Sequence, residues 1–288
     1  MKIIVCVKQV PGTPSIETDP VTGVLKRDAV EAKLNPYDLF AIEEALALAE
    51  RTGGTVTALS MGPPQAKAAL LETVYMGADK AVLVSDKAFA GSDVLATSYT
   101  LSQAARAIGF DIIICGKQTT DGDTAQVGAE TAEFLGIPHA ANVFSIKVCD
   151  VGPPDFSGSL SDNEASSETK TNRTGGDVRG VIVTVGQENL IITQYLPLPC
   201  LLCVDGGVNT PRLPSYRRKR GLVADPVRVL SLSDLSDTDI NRYGLAGSPT
   251  QVEQIYTPTM DISRETITGD AVALAERLAA ILREQRFI

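Results

Sequence analysis

The first half of the chain alternates short apolar runs with stretches whose apolar positions recur at helical spacing. Short runs that are apolar or rich in β-branched residues are typical of strands buried on both faces, and they occupy residues 3–7, 55–59, 81–84 and 112–115. Helical stretches follow, including residues 65–76 and 94–108. The alternation predicts parallel strand–helix–strand units, and therefore an α/β fold with an open, mostly parallel sheet that carries helices on both faces.

The sequence marks both ends of the first helix. Asn35 is suited to the N-cap, Pro36 to the first helical position and Asp38 to the third, where a carboxylate interacts favourably with the helix dipole. Gly53-Gly54 is expected to end this helix. Its buried stripe is predicted to consist of Leu39, Ile42, Ala45, Leu46 and Ala49.

Residues 111–136 contain the most informative polar loop. Gly116 breaks the apolar run, a polar loop follows, and Asp123 or Thr124 is expected to cap the next helix, which Gly136 closes. A strand, a polar loop and a helix start together leave main-chain N–H groups free at the positive end of a helix, where phosphates bind. The alternative is an ordinary strand-to-helix connection with a helix cap.

The other predicted strands also end in polar or glycine-bearing loops, at residues 60–64 and 91–93. In open parallel sheets, ligands bind at the carboxyl ends of the strands, near the point where the strand order reverses. The repeated layout therefore predicts one nucleotide-sized cleft at that edge. Neither a Walker phosphate loop nor the dinucleotide motif Gly-x-Gly-x-x-Gly occurs, which argues against a P-loop kinase or a Rossmann dehydrogenase.

From Asn142 onwards the pattern changes to strand-like segments, at residues 143–148, 181–185, 190–195 and 201–204. Between the first two lies a polar excursion, residues 152–180, which has too few apolar residues to order itself. The predicted domains are a nucleotide-binding α/β domain over residues 1–205, which includes this excursion, and a C-terminal arm over residues 206–288.

The C-terminal arm begins with a basic, proline-marked segment at residues 211–220 and continues as a polar linker to about residue 264. A final amphipathic helix is predicted over residues 270–286, with an apolar stripe formed by Val272, Leu274, Leu278, Ile281 and Leu282. An arm with little core of its own suits a segment that wraps around a partner. A disordered tail is the alternative.

The composition excludes several classes of function. The 288 residues are 44% apolar, enough for a full core, while a net charge of −9 and a pI of about 4.8 argue against nucleic acid or anionic lipid as general partners. No signal-peptide layout, no apolar run of membrane-spanning length and scattered cysteines together predict a cytoplasmic protein. Cys200 and Cys203 have redox or metal spacing, but without a second pair we interpret them as buried thiols.

Several motifs together resemble the beta (small) subunit of electron-transfer flavoprotein, over nearly the whole chain. They are Val5-Cys6-Val7-Lys8-Gln9-Val10-Pro11, Asn35-Pro36-Tyr37-Asp38, Met61-Gly62-Pro63-Pro64-Gln65, Met76-Gly77-Ala78-Asp79, the stretch 116–128, the stretch 199–204 and Asn209-Thr210-Pro211-Arg212. The resemblance implies a Rossmann-like fold of the adenine-nucleotide-binding type and a heterodimer with a larger alpha subunit that carries one FAD on a mobile domain. In this family the beta subunit holds AMP, or the AMP part of a second FAD in the electron-bifurcating branch.

Two features resemble the bifurcating branch more than the housekeeping one. Asp121-Gly122-Asp123 departs from the three consecutive acids of the housekeeping signature, and residues 92–99 resemble the bifurcating and nitrogen-fixation-associated proteins. Gly122 removes a side chain at the cleft mouth and Thr97 adds a hydroxyl, which both suit a ligand larger than AMP. The housekeeping form with structural AMP and a nucleotide-binding sensor of the universal-stress type are the alternatives.

The resemblance to the bifurcating branch implies a path for electrons. NADH would reduce a beta-site FAD, whose electrons would pass to the alpha-subunit FAD and a dehydrogenase, with ferredoxin or flavodoxin as second acceptor. The chain would be redox-active only within this multi-subunit complex, so no residue is assigned a catalytic role and no metal is expected.

The resemblance also assigns cofactor-binding positions. Thr119, Thr124 and main-chain donors are expected at the phosphates, while Asp93, Thr97 and residues 121–124 are expected towards the flavin. The full set is Cys6, Asn35, Pro36, Tyr37, Asp38, Met61, Asp93, Thr97, Gly116, Lys117, Gln118, Thr119, Thr120, Asp121, Gly122, Asp123, Thr124, Ala125, Gln126 and Val127.

A docking segment for the dehydrogenase is implied at Pro211, Arg212, Leu213, Pro214, Ser215 and Tyr216. Thr210 replaces the acid that is usual there, and Tyr216 stands where an aliphatic anchor is common. The partner therefore stays open between an acyl-CoA dehydrogenase, a flavin-dependent hydroxyacid dehydrogenase and a quinone-reducing module. Residues 217–220 either extend this docking patch or are solvated charge.

Overall fold

The computed structural model describes residues 1–12, 32–150, 178–251, 253 and 266–288. These residues belong to two compact units, Met1–Gln251 and Val252–Ile288. The predicted polar excursion lies outside the described residues except for residues 178–180. Residues 252 and 254–264 of the predicted polar linker also lie outside them.

The strands of the larger unit, in chain order, are β1 (Lys2–Cys6), β2 (Gln9–Pro11), β3 (Ala32–Leu34), β4 (Thr55–Met61), β5 (Lys80–Val84), β6 (Ile112–Gly116), β7 (His139–Cys149), β8 (Gly180–Gln187), β9 (Leu190–Pro197), β10 (Cys200–Val204) and β11 (Val227–Leu230). β2 and β3 pair with each other, and the others form one sheet in the order β11-β5-β4-β1-β6-β10-β7-β8-β9. Pairing is parallel from β11 to β7, and β8 and β9 add an antiparallel hairpin. The predicted fold class, an open and mostly parallel sheet, is confirmed.

The helices are α1 (Pro36–Thr52), α2 (Lys67–Met76), α3 (Val94–Ile108), α4 (Val127–Leu135), α5 (Tyr216–Gly221) and α6 (Ala271–Glu284). α1 and α2 pack their apolar positions on one face of the sheet, and α3 and α4 pack theirs on the other. α3 has the predicted bounds, while α2 begins after a 3₁₀ turn at Pro64–Ala66. Gly53 and Gly136 adopt the left-handed conformation that ends α1 and α4, as expected.

The start of α1 is as predicted, with Asn35 at the N-cap, Pro36 at the first helical position and Asp38 in the first turn, but the Asn35 side chain makes no capping hydrogen bond. The predicted cap of α4 is wrong. α4 begins at Val127 instead of directly after Asp123 or Thr124, and no side chain caps it. Asp123 has a positive φ of 53°, outside the extended region that an N-cap residue needs, so the chain turns further before the helix starts.

The larger unit extends beyond the predicted domain boundary at residue 205. β11 pairs with β5 as the last parallel strand, burying Val227 and Leu230, and the compact unit ends at Gln251. Residues after β11 also contribute to the core, because the ring of Tyr243 lies 5.4 Å from that of Tyr99 on α3. A four-residue strand with two buried side chains has too little periodicity to be recognised from sequence.

The smaller unit contains the predicted terminal helix. Asp270 caps α6, because its Oδ1 accepts hydrogen bonds from the main-chain N–H groups of Val272 (3.1 Å) and Ala273 (2.9 Å). No side chain of this helix is buried. Within the described ranges, no helix combines the length and the apolar character needed to cross a membrane.

Gly128 lets α4 approach the sheet closely, and this contact generates a prediction. A Cβ at Gly128 would lie 2.3 Å from Cys203 Sγ and 3.4 Å from Leu201 Cδ2. We expect Gly128→Ala to lower the free energy of unfolding by about 1–3 kcal/mol in urea, because α4 must shift away from β10. The loss should be smaller in a Cys203→Ala background, which removes the obstructing sulfur.

Gly186→Ala is the matched control for this substitution. Its Cβ would meet the Phe144 ring at 3.5 Å, an ordinary van der Waals contact, so the overpacking penalty should be absent. An equal loss for Gly128→Ala with and without Cys203 would contradict the close approach.

Candidate functional site

The strand order reverses between β1 and β6. From β1 the chain builds β4 and β5 on one side, and it then returns to place β6 on the other side of β1. The connection after β1 leads to α1 on one face, and the one after β6 leads to α4 on the opposite face. At such a reversal a crevice is expected at the carboxyl ends of the strands, here bordered by residues 7–12 and by residues 116–126, which we call the β6 loop.

Asn35 joins the start of α1 to the β6 loop. Its Nδ2 donates hydrogen bonds to Asp38 Oδ1 (2.8 Å) and to the carbonyl oxygen of Gln118 (2.9 Å), and its Oδ1 accepts one from the N–H of Thr120 (3.3 Å). The side chain is fully buried. These bonds explain why the Asn35 side chain makes no capping hydrogen bond to α1: its Oδ1 accepts from the β6 loop instead.

Asp38 is buried beneath this contact and is bonded to the exit of β1. Its Oδ2 accepts a hydrogen bond from the N–H of Lys8 (2.7 Å), while the N–H of Asn35 donates to the carbonyl oxygen of Lys8 (2.9 Å). Burial raises the pKa of Asp38 from 3.8 to about 7. The hydrogen bonds from Asn35 and Lys8 and the charge of Lys8 oppose this rise in pKa, and the charge of Asp121 adds to it.

Gly116 allows the end of β6 to touch the first turn of α1. A Cβ on Gly116 would lie 2.5 Å from Asp38 Oδ1 and 2.8 Å from the carbonyl carbon of Tyr37. Because part of this obstruction is main chain, a larger residue would have to displace the whole β6 loop. The predicted site residues Asn35, Tyr37 and Asp38 and the beginning of the β6 loop are thus brought together.

Two lysines compensate the acids around the crevice. Lys8 Nζ lies 2.7 Å from Asp121 Oδ2, and Lys117 Nζ lies 3.0 Å from Asp205 Oδ2. Partial burial acts to raise the pKa of Asp121, but the hydrogen bond and charge of Lys8 outweigh it, so that this pKa is lowered. Lys8 and Asp205 were not among the predicted site residues, because nothing in the sequence signals a pair such as Lys8–Asp121, which are 113 positions apart.

The second half of the β6 loop presents main-chain donors. Within the described chain, the N–H groups of Thr124, Ala125 and Gln126 have no acceptor, and the first turn of α4 has no side-chain cap. Asp123 and Ala125 both have positive φ values, 53° and 55°, which turn successive peptide units towards one side. Alternating turns of this kind at a helix start form a concave anion-binding surface, so these residues fit a phosphate group.

The remaining predicted site residues lie around this edge with fewer contacts to the β6 loop. Cys6 and Met61 end the neighbouring strands β1 and β4. Asp93 caps α3, since its carboxylate accepts a hydrogen bond from the N–H of Ala96 (3.0 Å). It also accepts hydrogen bonds from the N–H (3.0 Å) and Oγ1 (2.7 Å) of Thr250, near the end of the larger unit. Thr97 is half-buried one turn into α3.

The hydrogen bonds of Asp93 use both of its oxygens on protein donors. Burial acts to raise the pKa of Asp93, but the bonds from Ala96 and Thr250 prevail and lower it. α3 and α4 are connected one turn further on, where Ser98 Oγ donates to the carbonyl oxygen of Val127 (3.3 Å). The contacts of Asp93 therefore join it to Thr250 rather than to the β6 loop.

Cys200 and Cys203, the pair with redox or metal spacing, both lie in β10. Cys200 and Cys203 are buried and free, which confirms their interpretation as thiols in a strand. Among the described residues, no group of three or more His, Cys, Asp or Glu side chains is arranged to hold a metal ion.

The docking segment is fixed to α1 and α2, and its apolar side chains point outward. Arg212 binds Glu43 through Nε (2.8 Å) and Nη2 (2.9 Å) and Glu50 through Nη1 (2.7 Å), and these bonds raise the pKa of Arg212. The N–H of Ser215 donates to the carbonyl oxygen of Tyr75 at the end of α2. Leu213 and Tyr216 are 88% and 71% exposed.

This sheet order and its flanking helices define an α/β protein of the Rossmann-like class. The family model "Electron transfer flavoprotein domain" matches residues 22–175. The chain is 38% identical to the electron transfer flavoprotein subunit beta of Clostridium acetobutylicum, with full coverage of both chains. It is also 40% identical to protein FixA of Azorhizobium caulinodans, over 93% of this chain and 88% of that one.

The chain therefore belongs to the electron transfer flavoprotein family, in its beta-subunit branch. A third relative, the subunit beta of Megasphaera elsdenii, is 39% identical over 90% of this chain and 88% of its own length. Membership implies an alpha subunit as partner and association with a flavin or AMP. It also removes the universal-stress sensor from the alternatives.

The buried carboxyl of Asp38 predicts a pH-dependent stability. The folded chain takes up this proton near pH 7, whereas the unfolded chain takes it up near pH 3.8, so that acid favours the folded state between these values. The contribution is complete below pH 3.8 and is lost as the pH rises through about 7. From pH 8 to pH 5, the free energy of unfolding should rise by about 2–3 kcal/mol more for the native chain than for Asp38→Asn.

The comparison with Asp38→Asn isolates this group, because the other carboxylates titrate in both chains. Urea unfolding at each pH provides the measurement. Parallel stability curves for the two chains would show that Asp38 ionises normally.

Proposed function

We propose that this chain binds FAD in the crevice between residues 7–12 and the β6 loop, as the beta subunit of a heterodimeric electron-transfer flavoprotein. The observation that carries the proposal is the set of unpartnered main-chain N–H groups at Thr124, Ala125 and Gln126, next to the start of α4. Such donors bind phosphate oxygens without requiring a lysine. The hydroxyl groups of Thr119 and Thr124 add side-chain donors on the same loop.

The residues of the crevice have positioning roles. Asn35 and Asp38 hold the β6 loop against α1, and Cys6 and Met61 end the strands that form the floor of the crevice. Gly122 leaves the mouth open, because a Cβ there would meet only Thr119 Oγ1, at 3.7 Å. An open mouth suits a ligand that extends beyond AMP.

We place FAD bound here within flavin-based electron bifurcation. A bound flavin would supply the redox chemistry, with NADH as the proposed electron donor and with the alpha-subunit FAD, a dehydrogenase and ferredoxin or flavodoxin as the proposed acceptors. The protein contributes binding, orientation and the electrostatic surroundings. The free thiols of Cys6, Cys115, Cys200 and Cys203 suit a reducing cytoplasm as the location of this complex.

AMP with a structural role is the second candidate, and the state of Asp93 favours it. Both oxygens of this carboxylate already accept hydrogen bonds, from Ala96 and Thr250, which reduces what Asp93 can offer to a flavin ring. In that case the beta site would stabilise the fold and only the alpha-subunit flavin would carry electrons.

Counting nucleotides distinguishes the two candidates. The chain is co-expressed with its alpha subunit, the purified heterodimer is denatured, and the released nucleotides are separated and quantified. We expect two FAD per heterodimer. One FAD with one AMP would support the structural role instead, and one FAD with no second nucleotide would overturn nucleotide binding at the crevice.

A substitution in the docking segment should change electron transfer without changing nucleotide content or stability. We expect Leu213→Ala to lower the rate of electron transfer with the dehydrogenase by about tenfold, because a central apolar anchor of an interface is lost. Nucleotide content and stability should not change, since Leu213 is exposed and far along the chain from the β6 loop.

The matched control is Ile240→Ala, which also removes an exposed aliphatic side chain, 56% exposed, outside the docking segment. It should leave the rate unchanged. Screening acyl-CoA and hydroxyacid dehydrogenases with the native heterodimer identifies the partner, and equal rates for Leu213→Ala and the native chain would exclude this segment as the docking surface.

A further inference from the structure

Asp38 is enclosed by three segments of chain that meet at the crevice. It belongs to the first turn of α1, it accepts from the N–H of Lys8 at the exit of β1, and it accepts from Asn35 Nδ2, which in turn holds the β6 loop. The charged groups that act on it are Lys8 from the β1 exit and Asp121 from the β6 loop. Both of its oxygens are thus occupied by protein donors and neither is left for a ligand.

The two groups that bond to the Asp38 carboxylate, the Lys8 N–H and the Asn35 Nδ2, can only donate hydrogen bonds. A main-chain N–H and an amide NH₂ only donate, while an ionised carboxylate only accepts, so the charged form of Asp38 matches both partners. A protonated carboxyl carries one O–H, which must itself point at an acceptor. Because both facing groups are donors, protonation of Asp38 weakens both bonds: the acceptor loses its charge, and the new O–H has no acceptor among these two groups.

The orientation of the Asn35 amide depends on Asp38. With Nδ2 on Asp38 Oδ1, the same amide donates to the carbonyl oxygen of Gln118 and accepts from the N–H of Thr120. A flipped amide would place oxygen against the Gln118 oxygen and NH₂ against the Thr120 N–H. Both contacts would then be mismatched, and the β6 loop would lose its connection to α1.

We propose that Asp38 is a positioning residue which acts through Asn35 and Lys8, and that its ionised form keeps the β6 loop in the conformation that binds nucleotide. Protonation of Asp38 releases the loop, so nucleotide retention depends on pH. This inference rests on the proposed function, because it assumes that the nucleotide binds beside the β6 loop. Burial raises the pKa of Asp38, and the hydrogen bonds from Asn35 and Lys8 lower it. The result is a pKa of about 7, within the range of cellular pH.

The test uses the heterodimer, freed of its beta-site nucleotide, with AMP as the probe. AMP is the portion that the FAD and AMP hypotheses share, so the result does not depend on which of them is correct. The dissociation constant is measured by calorimetry from pH 5.5 to pH 8.5 for the native protein and Asp38→Asn. Comparing the two proteins cancels the titration of the AMP phosphate itself.

Asp111→Asn is the matched control. Asp111 Oδ2 also accepts a main-chain N–H, that of Lys2 (2.6 Å), but at the opposite end of β1 from the crevice. Between pH 8 and pH 6, the dissociation constant should increase about tenfold more for the native protein and for Asp111→Asn than for Asp38→Asn, as expected for one group titrating near pH 7. At pH 8, Asp38→Asn should bind AMP more weakly than the native protein.

Should Asp38→Asn fail to fold, Asn35→Ala takes its place. This variant keeps the buried acid but removes the side chain that transmits its state to the loop, so the additional pH step should be absent there too. The same pH profile in the native protein and in the variant would overturn the positioning role while leaving nucleotide binding intact. Absence of AMP binding by the native protein at every pH would overturn the proposed site, and this inference with it.

Discussion

The reversal of strand order between β1 and β6 is the constraint from which the rest of the site follows. It sends the two connections to opposite faces of the sheet, and a crevice is expected between them at the carboxyl ends of these strands. The opening must then be held at a defined width by something other than sheet hydrogen bonds. Asn35 and Asp38 do this, since they bond the start of α1 to both connections at once.

The charge distribution around the crevice explains how an acidic chain can offer an anion site. Lys8 is paired with Asp121 and Lys117 with Asp205, so the side-chain charges beside the crevice largely cancel. What remains is the field of aligned peptide dipoles at the start of α4 and the unpartnered N–H groups before it. Dipoles hold an anion only at short range, which gives selectivity by position rather than a general attraction for negative molecules.

Apolar continuity predicted the parallel strands well, because a strand covered by helices on both faces must be apolar at nearly every position. It failed for β11, where Arg228 and Val229 are exposed and only the two flanking side chains are buried. The polar loop after β6 was also recognisable. Its internal conformation was not, because the positive φ values of Asp123 and Ala125 arise at residues other than glycine.

Long-range polar pairing was equally hidden from the sequence. The motif Asn35-Pro36-Tyr37-Asp38 indicates a helix start, and local rules assign Asn35 the ordinary role of a cap. Only the folded chain shows that this side chain forms hydrogen bonds with the main chain of Gln118 and Thr120 instead. Motif residues can therefore be located from sequence, while the partners that determine their chemistry require the tertiary structure.

Because β11 joins the sheet, the predicted docking segment is held by the sheet at both of its ends. With β10 before it and β11 after it, the segment is a strap anchored at both ends, and Arg212 fastens its middle to α1. For a dehydrogenase docked on Leu213, as proposed above, the sheet would fix the distance between that partner and the carboxyl edge. Since electron tunnelling weakens steeply with separation, the breadth of the sheet would then limit how closely the proposed redox partners approach.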